Sequence, residues 1–90
     1  MTAKWKREYV RLSVSILVEF VVQNRVYQGW IKDIGEGGMF IDAKGPFSVG
    51  QDISMIYLSP RGLREKRTGK ISRVISQGIG VKFSLPGYSR

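Results

Sequence analysis

The stretch VRLSVSILVEFVV, residues 10–22, constrains the fold more than any other part of the chain. Val10, Leu12, Val14, Ile16, Val18, Phe20 and Val22 occupy every even position, and Arg11, Ser13, Ser15 and Glu19 fall between them. A period of two over that length is the pattern of a half-buried strand. Its β-branched residues suit a pleated surface. A helix would spread the same apolar residues around its whole circumference. The chain is therefore built on a long strand with one wet face, which needs other strands to cover the dry one.

The remaining sequence supplies them. Residues 23–25, Gln-Asn-Arg, form a polar break of hairpin length, with Asn24 suited to a turn. Residues 26–34 read as a returning strand and residues 38–43 as a third. Residues 44–51 carry Gly-Pro and a second glycine, the composition of a loop. A fourth strand is predicted at 52–59, a turn at Pro60-Arg61-Gly62, then a polar basic arm. A fifth strand follows at 68–76 and a sixth at 78–85, with Ile79, Val81, Phe83 and Leu85 on one face. Neither a helix, a repeat nor a low-complexity segment is expected. The fold class is all-β. A small sheet left flat would expose one apolar face, whereas closure buries it and limits free edges. The prediction is a six-stranded antiparallel β-barrel forming a single domain over 1–90, with a flexible arm at 1–9 and a loose tail at 86–90.

Composition narrows the function. With 90 residues and 42% hydrophobic content the chain can support one small core. No apolar run approaches the ~20 residues a membrane span needs, and the start lacks the apolar stretch of a secretory signal. The expectation is a cytoplasmic protein without membrane insertion. Cysteine and histidine are absent. That removes thiol nucleophiles, the usual zinc ligands and the commonest general base. No catalytic residue, metal site or cofactor is expected, and the chain does not read as an enzyme. The net charge of +8 points to an anionic partner. The cations cluster, with Lys4, Lys6, Arg7 and Arg11 in one group and Arg61, Arg64, Lys66, Arg67, Lys70 and Arg73 in another.

Two stretches can carry binding chemistry. Arg7 and Arg11 stand four apart where the first strand begins. Each guanidinium can fork two N–H donors onto an anion or onto the O6/N7 edge of guanine. They also read as two solvated charges at a basic terminus. The second stretch is DIGEGGMFI, where Asp33 ends a strand and Gly35, Gly37 and Gly38 crowd the connection. Glycines permit positive φ and let a ligand approach the backbone. An ionised Asp33 can accept two N–H groups, such as those of guanine. A plain hairpin with Asp33 bonding its own turn fits as well. No Walker loop is present, since no Gly-Lys-Ser/Thr follows.

Taken together, Arg-x-x-x-Arg at the entrance to a β domain, followed about 20 residues later by Asp-x-x-x-x-Gly, resembles the PilZ domain family. The matching residues are Arg7, Arg11, Asp33 and Gly38, and GIGVKF at 78–83 resembles that family's closing strand. The resemblance runs from about Lys6 to Leu85. It implies a six-stranded barrel that binds cyclic di-GMP, a bacterial second messenger with two guanines and two phosphates. Carried over, Arg7 and Arg11 would clamp phosphates and guanine faces, with Lys6 beside them. Asp33 would accept from guanine, and Gly37 and Gly38 would give the tight backbone. The family's serine is Gly35 here. One neutral hydrogen bond is worth about 0.5–1.5 kcal/mol, so its loss weakens a complex about tenfold and does not abolish it.

The resemblance implies a receptor module that acts through an unidentified downstream protein. Two other functions fit the same residues. One is a ligand-free PilZ-like docking adaptor. The other is a small nucleic-acid-binding barrel, which would expose several aromatics for stacking; Phe20, Phe83 and Trp30 sit in runs that read as buried, which argues against nucleic acid. Trp5 is expected to pack across the barrel mouth rather than stack on a base, and the arm at 59–70 to be a solvated hairpin rather than a handle for an acidic partner.

Overall fold

A computed structural model describes residues 11–84. It contains six strands: β1 Arg11–Val22, β2 Arg25–Gly35, β3 Gly38–Asp42, β4 Asp52–Leu58, β5 Arg64–Ile75 and β6 Gly78–Phe83. All pairings are antiparallel, and the strands close into a barrel in the order β1-β2-β3-β6-β5-β4. No helix occurs among the described residues. The all-β barrel read from the sequence is the fold. The arm at 1–9 and the tail at 86–90, with Trp5, Lys6 and Arg7, lie outside the described residues.

The alternation of β1 behaves as its period predicts. Val18, Phe20 and Val22 are buried, Val14 and Ile16 pack against the core, and Leu17 and Val21 face outward. Leu12 keeps that phase, since it pairs with Ile34, which packs against the core, but near the start of the strand it is 56% exposed. The turn into β2 is only two residues, because Arg25 already pairs with Val22. Gln23 and Asn24 both have positive φ, 51° and 66°. That is the geometry whose twist matches a two-residue hairpin.

Beyond that hairpin, three connections join barrel neighbours and one does not. β3 pairs with β2 and β6, whereas β4 pairs with β1 and β5. The segment between them must cross a barrel mouth. It drops Phe47 into that opening, 5.8 Å from Phe20 and 4.9 Å from Tyr27 between ring centroids. The backbone of the crossing is tied to β5, with Gly50 donating to the Ile71 carbonyl and Ile71 donating to that of Gln51.

The basic arm is more ordered than its composition suggests. β5 begins at Arg64 rather than residue 68, and Arg64, Lys66 and Arg67 sit in register with Leu58, Ile56 and Met55 of β4. Cross-strand backbone pairing has overridden a run of charges with little strand propensity. Trp30 is also not where its apolar run placed it. Ile31 faces the core, so a period of two turns Trp30 outward, and it is 47% exposed opposite Leu17 and Asp42.

Candidate functional site

An open groove of about 610 Å³ runs along the outer wall over β3, β6 and β5. Asp33, Gly37 and Gly38 line one side, so three of the residues singled out in the sequence converge on it. Gly35 is half-buried at the end of β2 and does not line the groove. Arg11 starts β1 directly opposite Gly35, at the same end of the sheet as Asp33.

Local irregularity puts Asp33 there. In β2, Ile31 faces the core, and strict alternation would send Asp33 inward too. The β2–β3 register slips between Ile31 and Asp33. The extra residue, Lys32, turns Asp33 out and returns Ile34 to the core side, opposite Met39. Such bulges bend a strand and redirect a side chain at the cost of one unpaired residue.

The glycines have different reasons. A Cβ on Gly38 would collide with the carbonyl oxygen of Val81 on β6, so glycine there permits the close β3–β6 crossing. A Cβ on Gly37 would meet nothing within 4 Å. Neither has a positive φ, and Gly37 lies in the short bend between β2 and β3. The positive-φ glycines at true bends are Gly50 and Gly62. The carbonyl of Gly37 accepts a 2.9 Å hydrogen bond from the Phe83 amide, which fixes the bend against β6.

Sequence reasoning missed the opposite side of the groove: Phe40 of β3, Ser72 and Arg73 of β5, and Gly80 and Lys82 of β6. Arg73 was grouped with the basic arm but not with the site. A clue was present in the sequence. IKDI at 31–34 and ISRV at 71–74 both place aliphatic residues three apart inside period-two strands. That phase slip marks a bulge.

A closed antiparallel barrel with a glycine-floored, charge-lined groove on its outer wall defines the class, a small β-barrel with a surface suited to a polar ligand. The family model for the PilZ domain matches residues 6–87. The chain belongs to the PilZ domain family, whose members are generally receptors for cyclic di-GMP and engage partner proteins, in a binding and not a catalytic role. Comparison with curated proteins finds no match. Among the described residues, no helix is long and apolar enough to cross a membrane.

Proposed function

We propose that this chain is a cyclic di-GMP receptor module of the bacterial cytoplasm. The observation that supports it best is the convergence of Asp33, Gly37 and Gly38 on one open groove, with the Arg11 position at the same end of the sheet. Asp33 accepts from the Watson–Crick edge of a guanine. Gly37, where a side chain would project into open space, lets the ligand lie against the backbone. Lys6, Arg7 and Arg11 add charge-assisted bonds to phosphate and guanine, about twice as strong as neutral ones. The module signals if the ligand favours one arrangement of residues 1–9 over another, which changes the surface shown to a downstream protein.

Titration calorimetry with cyclic di-GMP tests the proposal. Binding is expected, and Arg7→Ala or Arg11→Ala should each weaken it by well over tenfold. No heat and no chemical-shift change with the unaltered protein would end it. Gly35→Ser restores the family's hydroxyl and should tighten binding.

A docking adaptor that needs no ligand is the second reading. It is favoured by Gly35 in the serine position and by the exposed cross-strand pair Trp30 and Leu17 of β2 and β1. A chain that keeps its cellular activity after loss of both arginines would support that reading. A nucleic-acid role is less well supported even with Trp30 outside. Its cross-strand neighbours, Leu17 and Asp42, supply neither a second stacking ring nor a cation for the phosphate backbone.

A further inference from the structure

The groove is crossed by one transverse row of side-chain positions. Asp33 pairs with Phe40, Phe40 with Gly80, and Gly80 with Arg73. A carboxylate therefore stands at one end and a guanidinium at the other. Three strand spacings separate them, about 14 Å. Phe40 and the bare backbone of Gly80 lie between.

Arg73 reaches this face by the same device as Asp33. Gly69 and Ile71 are buried, so strict alternation would turn Arg73 inward. The β5–β6 register slips between Ile71 and Arg73, with Ser72 as the extra residue. The Ser72 hydroxyl donates to the Gly80 carbonyl at 3.2 Å and braces the slip. Val74 pairs with the buried Ile79 and so shares its face, though at this end of the strand it is itself 40% exposed. A Cβ built on Gly80 would lie 3.5 Å from Arg73 Cβ and 3.7 Å from its Nε. The arginine stem therefore runs beside the open floor that the glycine leaves.

Other cations on this part of the barrel are engaged elsewhere. Lys70 pairs with Asp52 at 2.6 Å, and the Arg67 guanidinium lies 4.5 Å from the centroid of the Phe83 ring. Among the described residues, Arg73 and Lys82 have no carboxylate partner. Lys82 is in the adjoining row, opposite Gly38, and also lines the groove.

From this geometry we infer that Arg73 and Lys82 form a phosphate-binding wall of the ligand site, facing Asp33 across the Gly80 floor. The inference rests on the cyclic di-GMP reading and fixes the ligand's orientation. The donor edge of a guanine points to Asp33, and a phosphodiester points to β5 and β6. Arg73 offers two parallel N–H groups to phosphate oxygens, and Lys82 adds a compact charge. Gly80 leaves room for the ligand to lie between the two walls.

The test is a set of cyclic di-GMP titrations on the full chain. Arg73→Ala should raise Kd tenfold or more, Lys82→Ala severalfold, and Arg73→Lys should recover part of the loss. Gly80→Ala puts a methyl group on the floor with only side-chain atoms of Arg73 and Ser72 nearest to it, and should raise Kd severalfold while the melting temperature holds. Arg64→Ala removes the same charge from an exposed site outside the groove and should leave Kd within twofold. Phosphorus NMR of the bound ligand should shift in Arg73→Ala and stay in place in Asp33→Asn. Equal, small effects of Arg73→Ala and Arg64→Ala would overturn the wall while leaving the receptor reading intact. No binding by the unaltered protein would overturn both.

Discussion

Gly37 and Gly38 are neighbours in sequence with opposite structural demands. Gly38 must lack a Cβ because the Val81 carbonyl of β6 occupies that space. Gly38→Ala forces β3 and β6 apart and should cost about 1–3 kcal/mol, as overpacking does, measured by urea unfolding. Gly37 faces open space, so Gly37→Ala should leave the unfolding midpoint almost unchanged and weaken cyclic di-GMP binding instead. That pair of variants separates a glycine kept for strand packing from one kept for ligand access. Tyr57 makes a different point about single residues. Burial pushes its hydroxyl above the ordinary 10.0; Arg67 opposes that shift by charge and hydrogen bond, and Glu65 adds to it. The native state thus holds the phenol proton more tightly than the unfolded chain does. The related stability is intact below pH 10 and declines as pH rises above it. Tyr57→Phe should flatten that alkaline decline in a pH series of thermal melts.

At the scale of elements, the strands carry both regularity and planned interruption. The β1–β2 hairpin turns on Gln23 and Asn24, both at positive φ. Asparagine tolerates this region, but a long side chain such as glutamine pays about 1–2 kcal/mol. Replacing the pair with Asn-Gly should raise stability by about 1 kcal/mol in chemical denaturation, with no change at the groove. The bulges at Lys32 and Ser72 work in the other direction, giving up a ladder position to place a charge outside. Each reverses the facing of every residue after it, so Asp33 and Arg73 reach the groove while Ile34 and Val74 turn back to the side of Met39 and Ile79. The same shift explains why the candidate site was only half legible. A motif search along the chain finds Asp33 and Gly38, because they recur as a pattern. It does not find Arg73, whose relation to Asp33 exists only through three cross-strand pairings.

Across the whole molecule, barrel order places the β3–β6 seam, which carries the groove, opposite the β1–β4 seam, and Leu17 and Trp30 are exposed at the β1–β2 seam between them. The crossing between β3 and β4 closes a mouth with Phe47, which is buried against Phe20 and Tyr27. Tyr27 and Asp33 are six residues apart on β2, about 20 Å of strand. Phe47→Ala should therefore cost about 3 kcal/mol, within the range for emptying a buried aromatic site. It should leave cyclic di-GMP affinity unaltered under conditions where the variant is folded, as calorimetry beside a denaturation curve would show.

The sequence by itself determined the strand count, the inward face of β1, the hairpin at residue 24 and the family motif that contains Asp33 and Gly38. These follow from period and local backbone preference, which act over a few residues and can be read along the chain. It misplaced Trp30, shortened β5 and gave no sign that Gly38 makes room for the Val81 carbonyl of β6. Only the tertiary structure decided those points, because facing depends on where a register slips, and a register belongs to two strands at once. The second wall of the groove has the same origin. Residues 33, 40, 80 and 73 become neighbours only when the barrel closes.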